Sequence, residues 1–435
     1  MPCYTVLEWN SLPYGEGAGC IPHRHADRLA AVARRSVHAG RGGMGVLDHG
    51  RHALRARSIV GVVAAGDVSL EILPKIAPED DDPSDADKAQ IRKRLVHMLV
   101  AALDLTLDPG EAARLDWQSH SVLDLLIRIF CDRLTEALRR GMPRRYVACE
   151  DDLTVMRGRL DLVRQYTRHA ANPARLACRY DRLSEDMIIN HIMKAAIRHL
   201  MRHARHPSVQ QRLRELSFLY ADIADCPASL IRWDLVVLDR TNRAWKDLLA
   251  MAKLFLQKRY QTTTQGESDG LALLFDMNAL FEEYVARQLV RAVAGTGLKV
   301  SRQGGRRHCL TDLANGRQHF QTRPDILVHR SGQVVKIIDT KWKRIAPRID
   351  DPRMGVSQAD IYQMMAYAHV YEAERLQLLY PHHVGLRATD GILGSYLVNG
   401  HGGVLEIATI DLARPRDITD RLRRLVVPDE TGLRE

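Results

Sequence analysis

Apolar positions recur along this chain in two periods, and the switches between them outline the fold. A 3.6-residue period runs through residues 26–37, 90–105, 122–140, 187–202, 273–293 and 358–374, which reads as amphipathic helix. The 122–140 segment ends at Gly141 with Arg139 and Arg140 in its last turn, where cations offset the helix dipole. Ser184, just ahead of Glu185 and Asp186, is the expected N-cap of the 187–202 helix. Runs rich in β-branched residues mark strands at residues 5–9, 54–64, 68–73, around Val328, at 334–338 and at 376–380. Residues 146–162 also read as extended. They contain Arg157-Gly158-Arg159, a triplet that suits either a phosphate contact or a bend between strands.

Two stretches interrupt these periods. Pro78-Glu79-Asp80-Asp81-Asp82-Pro83-Ser84-Asp85 is acidic and proline-flanked, with nothing to pack, and residues 261–268 are polar and unperiodic. They divide the chain into a β-rich module over 1–76, a mainly helical middle over 88–265 and a C-terminal domain over 266–435. In the last, a leading helix, two strands, a helix and a strand predict a mixed sheet flanked by helices. The fold class is therefore α/β (α+β).

The composition is that of an ordinary globular protein, with 46% hydrophobic and 27% charged residues over 435 positions. The formal net charge of +10 adds a preference for a polyanionic partner, nucleic acid first. No apolar run reaches the roughly 20 residues that span a bilayer, and the N-terminus has no basic stretch leading into an apolar core. The seven cysteines are scattered and form no C-x-x-C pair, which suits reduced thiols and a cytoplasmic location. The glycine cluster Gly40-Arg41-Gly42-Gly43-Met44-Gly45 is followed by no Lys-Ser or Lys-Thr, so it is not a P-loop and reads as a turn. His199, His203 and His206 lie among Arg198, Arg202 and Arg205, which favours a basic helix face over a metal site.

The chemistry concentrates in one expected hairpin, Arg323-Pro324-Asp325 to Lys341. A three-residue loop at Ser331-Gly332-Gln333 pairs Arg330 with Val334 and sets Asp325 opposite Asp339. Side chains alternate along a strand, so Asp339 and Lys341 share a face. Facing carboxylates repel unless something compensates. Mg²⁺, which takes carboxylate, water and phosphate oxygens, is the expected compensation. Lys341 then lies beside the attacking water and the scissile phosphate. Gln363 and Tyr367, one turn apart on the following helix, can face the same spot, and Glu282 or Glu283 can approach it from the preceding one.

Pro324-Asp325, Asp339-x-Lys341 and Gln363 with Tyr367 resemble the PD-(D/E)xK nuclease superfamily. The longer phrases Asp276-Met277-Asn278-x-Leu280-Phe281-Glu282, Asp339-Thr340-Lys341-Trp342-Lys343 and Tyr362-Gln363-Met364-x-Ala366-Tyr367 look like the McrC family, the nuclease subunit of McrBC-type modification-dependent restriction systems. In the N-terminal half, Val6-Leu7-Glu8-Trp9, Gly61-Val62-Val63, Glu71-Ile72-Leu73-Pro74-Lys75-Ile76 and Tyr180-Asp181-x-Leu183-Ser184-x-Asp186 are similar to that family too. Trp342 departs from the commoner tyrosine.

The resemblance implies a restriction-endonuclease-like C-terminal domain that hydrolyses DNA phosphodiesters. Asp325, Asp339 and the Thr340 carbonyl would hold Mg²⁺, and Lys341 would stabilise developing charge. Glu282 would be a further ligand to the metal or its waters, with Gln363 and Tyr367 orienting the centre. It also implies a partner, an AAA+ GTPase ring of the McrB type, stimulated through the N-terminal module. The ring's own domain would read modified cytosine in double-stranded DNA. Arg41, Arg51 and Arg55 are candidates for ring contact. Two other readings stay open: a catalytically silent GTPase-activating subunit, and a stand-alone DNA repair nuclease.

Overall fold

The structure is a computed structural model of the chain and describes residues 2–17, 19–36, 45–75, 83–105, 107–172, 174–256, 270–345, 355–386 and 389–427. Arg41, the soft boundary at 261–268 and most of the acidic stretch lie outside them. The chain forms two compact units, residues 1–125 with 260–435, and residues 126–259. These run differently from the three spans read from the sequence. The boundary near residue 125 falls inside the Val122–Arg139 helix, whose unbroken periodicity shows no seam.

The first unit joins the N-terminal strands to the C-terminal region through one strand. Residues 273–276 are expected to open a helix, but Gly270–Asp276 is extended and pairs antiparallel with Ile59–Ala65. The uninterrupted apolar run Leu271-Ala272-Leu273-Leu274-Phe275 is buried along its length, as suits a strand covered on both faces. Gly61 permits the close approach. Its φ is +127°, and a Cβ there would lie 2.0 Å from the Leu273 carbonyl oxygen. Cys3–Leu7 and Val68–Leu73 complete this four-stranded sheet. The segment expected as a single strand over 54–64 is two, Ala53–Ala56 and Ile59–Ala65, in different sheets. The helix proper, Met277–Ala292, starts where the Asp276 carboxylate accepts the Ala279 N–H at 2.9 Å.

The C-terminal sheet has six strands in the order Leu298–Arg302, Ile326–Arg330, Gln333–Thr340, Arg375–Pro381, Val404–Ile410, Gly391–Leu397. The pairings run antiparallel, antiparallel, parallel, parallel and antiparallel, so the sheet is mixed as expected. The hairpin turn differs in detail. Ser331 and Gly332 take φ of +51° and +88°, a two-residue turn that pairs Arg330 with Gln333. A bulge then inserts one extra residue, Val335, between the pairs His329–Val334 and Val328–Lys336. The shift cancels the shorter loop and sets Ile326 opposite Ile338, so the next step of the register is Asp325 with Asp339.

The two faces of this sheet have different neighbours. Ile337, Leu376, Leu378 and Tyr380 form one core with Met364, Tyr367, Ala368 and Tyr371 of the helix Gln358–Tyr371. By alternation Asp339 lies on that face, while Lys336 lies on the other.

The second unit, 126–259, is mainly helical, with Ile188–His203, Pro207–Leu219 and Lys246–Leu256, and holds a small sheet of Arg145–Leu153, Leu176–Ser184 and Arg159–Leu160. Met187, not Ser184, occupies the N-cap of Ile188–His203, and Ser184 Oγ instead accepts the Asp186 N–H. Ser184 is the last residue of its strand, and the helix cap falls three residues later. Gly158 has φ +69°, and a Cβ there would lie 2.3 Å from the Arg179 carbonyl oxygen, so the Arg157-Gly158-Arg159 triplet makes a bend. Arg157 stacks over the Tyr180 ring at 4.2 Å. His203 is buried, and burial with the nearby charges of His199, Arg202 and Arg205 pushes its pKa down to about 3.

Candidate active site

Asp325, Asp339 and Lys341 converge at the open end of the hairpin. The strand ladder continues past Thr340, because the Lys341 N–H donates to the Leu379 carbonyl at 2.9 Å. Asp339, on the helix-facing side, is 1% exposed. The Lys341 ammonium lies 2.7 Å from Asp339 Oδ2. It sits off the hydrogen-bonding direction, so that buried oxygen has no aligned donor. Asp325 precedes its strand and is pinned by Thr340, whose N–H and hydroxyl donate to Asp325 Oδ2 at 2.8 and 2.9 Å. The sequence reading uses Thr340 only as a carbonyl donor. Its clamp on the opposite aspartate is an additional role.

The helix Gln358–Tyr371 supplies the other wall. Lys341 Nζ donates to Gln363 Oε1 at 3.1 Å, and Gln363 Nε2 donates to the Tyr367 hydroxyl at 2.8 Å. The i, i+4 pair thus forms a relay ending on the site lysine. Asp360 was not singled out from the sequence, though its i, i+3 spacing to Gln363 puts it on the same face. It is buried, 3.5 Å from Lys341 and 3.0 Å from Lys343.

From the other helix Glu282, not Glu283, serves the site. Glu283 is turned to Arg287 and Arg302. Glu282 Oε1 accepts from Gln303 Nε2 at 2.9 Å, and the Gln303 backbone N–H donates to the Asp325 carbonyl at 2.8 Å. Gln303 is far from both acids in sequence and carries no motif that could have marked it. Trp342, next after Lys341, ties the site to the N-terminal sheet. Its indole N–H donates to Glu8 Oε1 at 2.8 Å, and its ring meets Phe281 edge-on. A tyrosine hydroxyl would project differently from that indole N–H.

Burial dominates the electrostatics. It pushes Asp339 up to about 6, helped by the charge of Asp325, with Lys341 pulling the other way. Burial raises Asp325 to about 6 as well, helped by Glu282. Glu282 is itself raised, by burial first, with the Gln303 bond and Arg323 opposing and Glu283 and Asp339 adding to it. Burial alone would lower Lys341, but its contact with Asp339 and the charges of Asp339, Asp360 and Asp325 outweigh it and keep the ammonium charged. Three mutually repelling carboxylates and a buried oxygen with no aligned donor are a hard-oxygen set that fits a divalent cation such as Mg²⁺.

Burial, together with this repulsion, sets a pH dependence. A carboxyl whose folded pKa is raised contributes stability below its unfolded value near 4, which is lost as pH rises through the folded value of about 6. In Asp325→Asn the amide oxygen still accepts both Thr340 bonds, and one negative charge is gone. In urea unfolding without divalent ions, this variant should exceed the parent in stability by on the order of 1 kcal/mol or more at pH 7.5 and match it only near about pH 3, below the unfolded value. A gap independent of pH would show that neither burial nor the neighbouring carboxylates raise the Asp325 carboxyl.

Similar proteins add to this picture. No curated protein matches the sequence. The fold is similar to a chain in the refined half-complex from the tetradecameric assembly of Thermococcus gammatolerans McrB AAA+ hexamers with bound McrC, at 18% identity and a TM-score of 0.73, covering 97% of this chain and 99% of that one. It is also similar to a chain in the cryo-EM structure of the Thermococcus gammatolerans McrBC complex, at 22% identity and a TM-score of 0.56, covering 67% and 88%. A family model described as McrBC 5-methylcytosine restriction system component matches residues 54–381, which hold three of the four strands of the N-terminal sheet, the hairpin and the helix that faces it. The chain therefore belongs to the McrBC family of 5-methylcytosine restriction system components.

Proposed function

We propose that this chain is the DNA-cleaving, McrC-type subunit of a modification-dependent restriction complex. It is a Mg²⁺-dependent endodeoxyribonuclease that acts on double-stranded DNA containing modified cytosine and stimulates the GTPase of a McrB-like AAA+ ring. The observation that carries the reading is the meeting of Asp325, Asp339 and Lys341 at one end of the hairpin, against Gln363 and Tyr367.

Asp325, Asp339 and the Thr340 carbonyl would hold Mg²⁺, which when bound lowers the pKa of a water and withdraws charge from phosphate oxygens. Lys341 stays protonated, because its carboxylate neighbours outweigh burial. It holds the attacking water and offsets charge developing on the phosphate, as a preoriented cation in a partly dry site. Gln363 keeps the ammonium in place. Tyr367 is pushed up to about 12 by burial and the nearby carboxylates, so it acts as a neutral hydrogen-bonding group and not as a base.

The partner follows from what this chain lacks and what its relatives do. Its sequence has no glycine-rich loop ending in Lys-Ser or Lys-Thr, so GTP would be hydrolysed by a partner. The Thermococcus McrB hexamers are described with bound McrC. Arg51 and Arg55 are exposed on or beside the small sheet of Ser11–Pro13, Ala53–Ala56 and Leu47–His49, and are offered as ring contacts. The test combines this chain with a McrB-type AAA+ GTPase ring, GTP and methylated duplex DNA. Cleavage should require Mg²⁺, the ring and the modification, and should stop on chelation. GTPase stimulation with no cleavage would instead favour a silent regulatory subunit, and cleavage of unmodified DNA without the ring a stand-alone nuclease.

A further inference from the structure

Between the sheet's first strand and Asp325 the chain leaves the sheet and builds a separate arm. His308–Thr311 pairs antiparallel with Gln318–Gln321, and neither strand joins another sheet. An isolated two-stranded ribbon has no core to hold it. This one is held at both ends.

At its tip, the Asp312 carboxylate accepts the Ala314 N–H at 2.8 Å and Asn315 Nδ2 at 2.6 Å, while Gly316, with φ +69°, donates to the Asp312 carbonyl. At its base, the Thr322 N–H and hydroxyl both donate to the Arg307 carbonyl at 2.7 Å, and that hydroxyl also meets the Tyr371 hydroxyl at 2.8 Å. The Arg307 guanidinium donates to the Val370 carbonyl and lies over the Tyr371 ring. Tyr371 is one turn beyond Tyr367 on the same helix, so the arm's direction is set by the element that forms the site wall.

The arm's surface has a definite chemistry. Residues 302–323 carry five arginines, at 302, 306, 307, 317 and 323, against the single acid Asp312, which is spent on the turn. Arg302 pairs with Glu283, but Arg306 and Arg317 are exposed and pair with no carboxylate among the described residues. Leu313 at the tip is fully exposed, and the Phe320 side chain is 73% exposed on a backbone with φ +56°. A bulky residue in the left-handed region is an outlier. Exposed apolar groups ringed by cations suit a partner that is negative outside and apolar within.

We propose that the 306–321 arm enters a groove of the duplex beside the scissile phosphate. Arg306 and Arg317 neutralise phosphates, and Leu313 and Phe320 pack on base edges. The arm's paired strands have four residues each, about 13 Å at about 3.3 Å per residue, and the turn at 312–317 projects beyond them. The major groove, about 12 Å wide and 8.5 Å deep, admits a two-stranded ribbon. The inference rests on the nuclease reading above.

The test uses the full chain with its GTPase ring and compares the parent with Arg306→Glu/Arg317→Glu and with Leu313→Ser/Phe320→Ser. The charge pair should raise KM for DNA about tenfold or more near 150 mM salt and flatten the salt dependence by about two phosphate contacts. The apolar pair should raise KM with little change in salt slope. GTPase stimulation should persist in both. Unaltered KM in both variants overturns the proposal. Lost GTPase stimulation with full DNA affinity also overturns it and assigns the arm to the ring. DNA affinity is measured in parallel by fluorescence anisotropy in an Asp339→Ala background. A wild type that cuts nothing then counts against the nuclease reading, while the arm is still judged by binding.

Discussion

Replacing Asp339 by alanine is expected to abolish DNA cleavage, by about a thousandfold or more, while stimulation of the partner's GTPase survives in the same preparation. Asp339 is the most buried acid of the site and the one nearest the Lys341 ammonium. Its loss would remove a metal ligand and the counter-charge that aligns the ammonium. The fold should tolerate it. The residue sits beside Asp325 with a raised pKa, so its removal relieves repulsion, and Lys341 keeps Gln363 and Asp360 as neighbours. GTP hydrolysis and nicking of methylated plasmid, measured side by side, decide the matter. If GTPase stimulation fell together with cleavage in a folded protein, the nuclease centre and the ring-activating surface would be one device, and the division of labour argued here would be wrong.

What could be read from the sequence was local. β-branched strands, a Ser-Gly turn and the alternation rule suffice to bring Asp339 and Lys341 to one face, and the i, i+4 rule suffices for Gln363 and Tyr367. The register was reached by a compensation. The loop is one residue shorter than expected, and a bulge at Val335 restores the count. Nothing in a β-branched run marks where a bulge will fall. The apolar run 271–275 fits a strand or a buried helix equally, and only its antiparallel partner, with Gly61 opposite, decides it. The contacts missed altogether, Gln303 on Glu282 and Glu8 on Trp342, join residues 21 and 334 positions apart. No local pattern carries such pairs.

The hairpin holds a second lysine–carboxylate couple, and it should behave in the opposite way to the first. Lys336→Met alone is expected to cost about 3 kcal/mol in urea unfolding, because it leaves the buried Glu406 carboxylate with only the half-exposed Arg375 as a counter-charge. Lys336 and Glu406 are 3% and 4% exposed. Lys336 Nζ donates to Glu406 Oε2 at 2.6 Å and to the Leu425 carbonyl at 2.5 Å, while Glu406 also accepts from Gln377 Nε2 at 3.1 Å and from the Arg375 guanidinium at 3.4 Å. The pair ties the hairpin's second strand to the parallel strands and to the helix Ile418–Val426, on the face away from Asp339. Converting both residues, Lys336→Met with Glu406→Met, removes both charges together. It should leave a residual cost of only about 1–2 kcal/mol, mostly from the Gln377 amide and the half-exposed Arg375 losing their acceptor. If the double variant were as unstable as the single one, the lysine's packing and not its charge would be the stabilising feature. The folded double variant should still cleave DNA, since neither group reaches the site face. That result would separate a lysine–carboxylate pair that holds the strand in place from the Asp339–Lys341 pair proposed to meet the phosphate.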